Sequence, residues 1–407
     1  MKFRSKLVVF VALGVLVERA VLVRAENAAP AASQTPRPVE PQATAPDQPR
    51  FSYGGDASEL GAQWMDDLVF LSSRVNVSEP SLFELDTTAA NSSLAPDRAA
   101  EINRTNLRPV ILNLPALDVP LPSLPAVAKA DFGLTVGQPY QGTLGRDFLA
   151  NLVLEVDYAR DTVRAYAPAS YKYSGKGVVF PLSQGNGMPV INLRFALEKG
   201  KEINGNFVVD TALDASVVLD NKFLAAHKMM GDRGKTMPSI DPFTGQPGAT
   251  TGHIRAFQIE KRFVDDVLAI FSDQPFPSAG VPVAGAIGSK MLRRFNVTFD
   301  YPHGQLVLEP NTNFPDPDQE DKSGLMIVAK GSNFKTFEVV GVEPQTPAAD
   351  AGIKNGDVIA GIDTDPAADL TILTARNLFR QVGHKYKVTL ERGGETKEVT
   401  LQMRRYF

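Results

Sequence analysis

The chain has 407 residues, of which 43% are hydrophobic and 22% charged, a composition typical of a globular protein with two or three domains. The net charge of −4 provides no basic surface, so we do not expect nucleic acid as a partner. Cysteine is absent, which excludes thiol catalysis, disulfides and thiolate metal sites, and the four histidines lack metal-binding spacing. We therefore expect neither a metal nor a cofactor.

The N-terminus has the pattern of a signal peptide over residues 1–25. Lys2, Arg4 and Lys6 precede the apolar run 7–17, and small or apolar residues lead up to Ala25. The apolar run is too short to span a bilayer. We expect cleavage after Ala25, no stable membrane span afterwards, and a periplasmic or secreted protein. An uncleaved anchor is the alternative.

Composition divides the remaining chain. Residues 26–55 are rich in Pro and Ala and should form a disordered linker. Residues 313–322 are acidic and contain Pro, which indicates a second linker. The stretch between the linkers contains an internal duplication, so we divide it into lobe 1 (56–182) and lobe 2 (183–312), followed by a small domain over 323–407.

The duplication appears as two matched pairs of motifs. In each copy a short apolar strand ends in Asp-Thr, and further along a Gly-φ-φ-Gly element (φ is an apolar residue) leads into a strand that ends in Asp-Tyr. The matched segments are 82–89 and 206–213, Gly142–Gly145 and Gly285–Gly288, and Asp157-Tyr158 and Asp300-Tyr301. This order predicts a tandem pair of β lobes.

A repeated Asp-Thr motif can build a catalytic carboxylate pair. Two carboxylates in contact cannot both ionise cheaply, so one keeps a proton while the other stays charged. Such a pair can deprotonate a water for attack on a peptide carbonyl and return a proton to the product. The threonine hydroxyls could bond to backbone across the lobe boundary and fix the geometry.

The two lobes resemble retropepsin-like aspartic proteases fused in tandem. The resemblance implies a mainly β fold with two pseudo-symmetric acid-protease-like lobes, beside a small α+β domain. It implies that Asp86 and Asp210 are the catalytic aspartates and that the dyad is braced by the residues after them, Thr87, Thr211, Thr88 and Ala212. Thr88 and Ala212 stand where the family has glycine, and restoring glycine is expected to raise activity.

The substrate-covering flaps differ between the lobes. Lobe 2 has Gly245, Gly248 and Gly252 where a mobile hairpin is expected, whereas lobe 1 has no glycine from Gln63 to Phe132, so its flap should be absent or rebuilt. Two functions stay open: an aspartic endopeptidase with an acid optimum that cleaves polypeptides, and a disabled protease homologue that acts as a peptide-binding scaffold.

The C-terminal segment 323–407 resembles a PDZ domain through Phe337–Val342 and the run from Thr346 to Ile359. The resemblance implies that an extended peptide or a protein C-terminus is added as a strand. We expect the receiving edge to be Phe337–Val342, with Phe337 and Val339 in contact with the peptide. We expect the carboxylate to enter the loop Gly331, Ser332, Asn333 and Phe334.

Overall fold

The computed structural model describes residues 48–103, 110–127, 133–183, 187–244, 247–274, 276 and 280–405. The fold is mainly β. The predicted signal peptide and most of the Pro/Ala-rich linker lie outside the described residues. Among the described helices, none is long and apolar enough to cross a bilayer.

Lobe 1 consists of short strands with two helices. Its elements are β1 (Arg50–Phe51), β2 (Ala57–Leu60), β3 (Ala62–Met65), β4 (Leu68–Val75), β5 (Ser81–Leu85), β6 (Ser93–Leu94), α1 (Pro96–Asn103), β7 (Val110–Leu114), β8 (Leu117–Leu121), β9 (Gly142–Leu144), α2 (Arg146–Leu149), β10 (Val153–Asp157) and β11 (Thr162–Tyr166).

Lobe 2 repeats this order with a longer hairpin. Its elements are β12 (Val178–Pro181), β13 (Val190–Ala196), β14 (Glu202–Val209), β15 (Val217–Asp220), α3 (Asn221–Ala226), β16 (Thr236–Ile240), β17 (Pro247–Ile259), β18 (Arg262–Ser272), β19 (Gly285–Ile287), α4 (Ser289–Leu292), β20 (Phe295–Asp300) and β21 (Gln305–Pro310).

The C-terminal domain is a five-stranded sheet with two helices and one added short strand. Its elements are β22 (Leu325–Lys330), β23 (Thr336–Val342), α5 (Pro347–Asp350), β24 (Val358–Ile362), β25 (Asp365–Pro366), α6 (Ile372–Phe379), β26 (Lys385–Arg392) and β27 (Glu395–Gln402). It has its own apolar core, which includes Phe337, Ile359 and Phe379.

One sheet joins the two lobes and carries the symmetry between them. Its strand order is β12-β21-β20-β10-β11-β2, and the two strands that end in Asp-Tyr, β10 and β20, pair antiparallel at its centre. Glu155 pairs with Thr298, and these two residues occupy equivalent positions in the repeat, 143 residues apart. A pseudo-two-fold axis therefore passes between them, and the lobes are related as the duplication predicts.

The same sheet contains an equivalent outer strand from each repeat. β2 pairs with β11, and in the equivalent place β12 pairs with β21. β12, which begins at residue 178, therefore occupies the place in lobe 2 that β2 occupies in lobe 1, and the boundary at 183 stays a prediction.

The flaps differ as the glycine distribution predicts. In lobe 2, β16 and β17 pair as a hairpin whose turn contains Phe243. In the described part of lobe 1 no strand takes the place of β16, and the hairpin of β7 and β8 turns tightly through Ala116. Residues 104–109 and Gly245 lie outside the described residues.

The segment predicted to be an acidic linker is anchored to lobe 2 at Asp318. The Asp318 carboxylate accepts hydrogen bonds from the Leu268 backbone N–H at 2.7 Å and from the Arg294 guanidinium at 3.0 Å, and the Ser216 hydroxyl donates to it as well. The side chains of Arg294 and Asp318 are 3% and 2% exposed. Acidity here reflects a buried ion pair, which charge composition alone cannot distinguish from a solvated linker.

Candidate active site and peptide groove

The two Asp-Thr loops meet at the lobe boundary and bind each other symmetrically. The Thr87 backbone N–H donates to the Thr211 hydroxyl oxygen, and the Thr211 N–H donates to the Thr87 hydroxyl oxygen, both at 3.2 Å. Each hydroxyl donates in turn to a carbonyl of the other lobe, Thr87 to Val209 and Thr211 to Leu85, both at 2.6 Å. Both threonines are fully buried, so these four bonds lock the loops in one relative position.

The strands behind the loops hold each aspartate in place. β5 runs parallel to β9, and β14 runs parallel to β19. The Asp86 N–H donates to the Leu144 carbonyl at 3.0 Å, and the Asp210 N–H donates to the Ile287 carbonyl at 2.9 Å. The two Gly-φ-φ-Gly elements thus supply the strands that support the Asp-Thr loops.

Glycine is needed at the end of each element because the loop backbone comes too close for a side chain. A Cβ at Gly145 would lie 2.6 Å from the Ala89 carbonyl oxygen, and a Cβ at Gly288 would collide with the carbonyls of Leu213 and Ala215. The spacing of these glycines is therefore set by the contact between element and loop.

The two carboxylates have different hydrogen-bond partners. The Asp86 Oδ1 atom accepts from the Thr88 N–H at 2.8 Å, the Thr88 hydroxyl at 2.7 Å and the Ala89 N–H at 3.0 Å. The Asp210 Oδ1 atom accepts from the Ala212 N–H at 3.0 Å. The added hydroxyl donor at Asp86 comes from the residue that replaces the family glycine, so Thr88 contacts the carboxylate through its oxygen.

Burial and charge repulsion raise the pKa of Asp210. Desolvation, followed by the charge of Asp86, raises the pKa of Asp210 from its ordinary value of 3.8 to about 8. Both aspartates keep part of their surface exposed. The raised pKa therefore favours a protonated Asp210 at neutral pH, while the Asp86 carboxyl accepts three hydrogen bonds.

Sequence reasoning missed a third acidic residue beside the dyad. Glu84 is 4% exposed, its carboxylate accepts a hydrogen bond from the Tyr140 hydroxyl at 3.1 Å, and its charge contributes to the raised pKa of Asp210. Tyr140 packs edge-on against Phe70, with ring centroids 5.1 Å apart. The sequence offered a signal for this residue. Glu84 lies two residues before Asp86 on an apolar strand, where lobe 2 has the apolar Val208.

The peptide-binding edge predicted for the C-terminal domain is wrong. Thr336–Val342 is an inner strand, because β23 pairs with β22 along its length on one side and with β24 on the other. Phe337 and Val339 are fully buried in the core and cannot contact a peptide. β22 is the strand at one edge of the sheet, and β27 is the strand at the other edge.

The carboxylate-binding role predicted for the loop 331–334 stays a prediction. Gly331, Ser332, Asn333 and Phe334 form the turn between β22 and β23, and Phe334 donates its N–H to the Gly331 carbonyl at 3.2 Å. We infer that a peptide groove lies between the edge strand β22 and the helix α6 beside it. Arg376 of α6 reaches across and donates to the Ile327 carbonyl at 3.1 Å.

The C-terminal sheet lies within a segment that matches a known domain family. Residues 318–403 match the family model described as PDZ domain. These residues form a PDZ domain. The match begins inside the segment that composition marked as a linker, which fits the packing of Asp318. The comparison with curated proteins found no match to this chain.

Two solved structures are similar to parts of this chain. An aspartic proteinase from Irpex lacteus is 14% identical, covers 64% of this chain and 98% of its own, and superposes with a TM-score of 0.42. A photosystem II D1 C-terminal processing protease is 27% identical over 21% of this chain and 23% of its own, with a TM-score of 0.19. The acid-protease-like character of the lobes therefore rests on the symmetric geometry described above.

In the described ranges no three His, Asp or Glu side chains are grouped so as to hold a metal ion.

Proposed function

We propose that the protein hydrolyses peptide bonds with Asp86 and Asp210 as a shared acid–base pair, and that its PDZ domain binds polypeptide. The observation that carries this proposal is the reciprocal bonding of Thr87 and Thr211, which places one aspartate of each lobe at a common boundary. The raised pKa of Asp210 supports it, since one proton shared by two carboxylates is what the reaction requires.

In this mechanism the substrate carbonyl lies against protonated Asp210, which donates a hydrogen bond to the carbonyl oxygen. Asp86 takes a proton from a water, Asp210 transfers its own proton to the carbonyl oxygen, and the water oxygen attacks the carbonyl carbon to give a tetrahedral diol. Asp86 then returns its proton to the amide nitrogen, the C–N bond breaks, and the remaining hydroxyl proton goes back to the pair. No other reactant is consumed.

A matched set of variants tests hydrolysis. Cleavage of an unfolded protein such as reduced, alkylated casein is expected for the wild type and lost in Asp86→Asn and Asp210→Asn. Asp220→Asn is the control, because Asp220 is the N-cap of α3 and its carboxylate accepts from the Lys222 N–H, a role that Asn fills equally well. Cleavage that survives either dyad substitution contradicts the mechanism.

A disabled scaffold is the second candidate, favoured by Thr88 and Ala212 in place of the two glycines. An inactive wild type together with activity in the Thr88→Gly, Ala212→Gly variant would show a disabled protease. Inactivity of both proteins, with peptide binding intact, would establish the scaffold. We propose an exported location, periplasmic or secreted, on the basis of the N-terminal pattern alone.

A further inference from the structure

The edge strand of the PDZ domain is already in contact with lobe 1. The outward-facing N–H of Ala329 on β22 donates to the Leu134 carbonyl at 2.7 Å. Backbone bonding to an open sheet edge is the way PDZ domains take up extended peptides. Residues 133–140 therefore lie where a bound peptide would begin to pair.

The same segment contacts the helix on the other side of the groove. Gly137 has a left-handed φ of 73°, and a Cβ there would lie 2.5 Å from the Cγ2 atom of Ile372 on α6. Leu373 of α6 packs against the apolar cluster that contains Val136 and Tyr140. Both walls of the groove thus hold the segment, and a glycine permits the close approach.

A buried ion pair supports this docking from the end of the helix. Arg380 donates to both oxygens of Asp66, at 2.7 and 2.8 Å, and their side chains are 15% and 8% exposed. Asp66 lies in the turn between β3 and β4 of lobe 1. A bidentate, largely buried pair fixes orientation as well as distance.

The loop before β22 is filled by a carboxylate of the domain itself. The Asp321 Oδ1 atom accepts from the N–H groups of Ser323 and Gly324, at 2.8 and 2.7 Å, and the Ser323 hydroxyl accepts from the Leu325 N–H at 3.0 Å. A free C-terminus is captured by such a run of backbone N–H groups. Because these groups are engaged, the groove suits a segment from the interior of a chain.

We propose that residues 133–140 are the resident internal ligand of the PDZ groove, and that an incoming extended polypeptide segment must displace them. The proposal builds on peptide binding by the PDZ domain in the proposed function. Displacement reaches the dyad, because Tyr140 of the same segment bonds to Glu84, two residues before Asp86. Binding of a substrate segment in the groove would thereby release Tyr140 from Glu84 on the lobe 1 side of the active site.

Cross-linking tests whether the segment occupies the groove. The chain has no cysteine, so any disulfide that forms in a variant with one engineered cysteine pair joins those two residues or two molecules. A Cβ at Gly137 lies 3.4 Å from the Ile372 Cβ, close to the range of about 3.5–4.5 Å found in disulfides. Gly137→Cys with Ile372→Cys should close under mild oxidation. Gly137→Cys with Thr374→Cys should not, because residue 374 faces away from residue 372 on α6.

Peptide competition tests whether the segment blocks ligand binding. The probe is a fluorescent octapeptide with the sequence of residues 133–140, measured by anisotropy against full-length Asp210→Asn protein so that no cleavage interferes. Gly137→Val, which crowds Ile372, should raise the apparent affinity at least about ten-fold, because the internal competitor is removed. The oxidised cysteine pair should bind no probe, reduction should restore binding, and Ile372→Cys alone is the control.

The outcomes separate this proposal from hydrolysis. Failure of the wild type to cleave casein leaves the binding measurements unaffected. Equal closure of both cysteine pairs, or probe binding by the cross-linked chain as strong as by the reduced chain, overturns the resident-ligand assignment. A free-acid probe that binds more than about ten-fold tighter than its C-terminal amide overturns the preference for internal segments. If Gly137→Val fails to fold, the cross-linking comparison still decides the question.

Discussion

At the residue scale, the dyad differs from a symmetric pair because its two aspartates have unequal neighbours. Asp86 accepts from the Thr88 hydroxyl, whereas Ala212, in the equivalent position of lobe 2, has no side-chain donor to offer. Glu84 adds a negative charge on one side only. The two aspartates therefore lie in unequal surroundings, and the raised pKa of Asp210 favours the proton on that residue.

The raised pKa of Asp210 predicts how Asp210→Asn changes stability with pH. The folded pKa is about 8 and the ordinary value is 3.8, so between these values the native state holds a proton that the unfolded chain has released. Wild-type stability therefore falls as pH rises through this window, whereas an amide carries no such cost. The melting temperatures of the wild type and Asp210→Asn should coincide below pH 4. Between pH 4 and pH 8 the melting temperature of the variant should rise progressively above that of the wild type. A constant difference would contradict the raised pKa.

The resemblance predicts that glycine at position 88 raises activity, whereas the hydrogen bond from the Thr88 hydroxyl to Asp86 predicts that Thr88 supports this carboxylate. Thr88→Ser keeps the donor and should retain activity, whereas Thr88→Val has the same shape without it. A hydrogen bond to a charged group contributes about 1.5–3 kcal/mol, so kcat should fall by about ten-fold or more in the valine variant. Equal activities of the two variants would show that the hydroxyl is not used.

At the element scale, the four bonds between the Asp-Thr loops should be cooperative. Thr87→Val leaves the Val209 carbonyl and the Thr211 N–H without a partner in a buried place, at about 1–3 kcal/mol each. Denaturant unfolding of Thr87→Val, Thr211→Val and the double variant forms a thermodynamic cycle. We expect a coupling energy of about 1 kcal/mol or more, with Thr87→Ser as the control. Strictly additive losses would mean that the loops do not brace each other.

Local pattern predicted the repeated elements but not the position of every strand in its sheet. The Asp-Thr and Gly-φ-φ-Gly motifs predicted the lobes because each motif is fixed by contacts within one repeat. The PDZ edge was wrong because β22 and β23 are both short apolar strands, and only pairing with β24 shows that β23 is internal. Tyr140 lies 56 residues from Glu84, so their contact is set by the tertiary fold.

At the scale of the whole molecule, the PDZ domain is held to the lobes at several points. Asp318 ties its start to lobe 2, Arg380 ties α6 to lobe 1, and the Ser239 hydroxyl of β16 donates to Glu343 at 3.1 Å. A cavity of about 550 Å³ lies between the lobe 2 flap hairpin, Asp214 and the PDZ loop that precedes β22.

Removing the Asp318 anchor should loosen this assembly. Asp318→Ala leaves Arg294 buried without its anion, which costs about 3–5 kcal/mol when a buried pair is broken. We expect a lower unfolding temperature and faster proteolytic cleavage within residues 313–322. Asp316→Ala is the matched control, since the side chain of Asp316 is 51% exposed. Indistinguishable cleavage of the two variants would show that Asp318 does not anchor the segment.

The central claim is that two lobes share one proton at a single catalytic site, and the pH dependence of kcat/KM for peptide cleavage tests it most directly. We expect a bell-shaped profile whose alkaline limb falls near pH 8, where Asp210 loses its proton, with no cleavage at any pH in Asp86→Asn or Asp210→Asn. A wild-type profile that keeps rising above pH 8, or measurable cleavage by Asp210→Asn, would contradict the account.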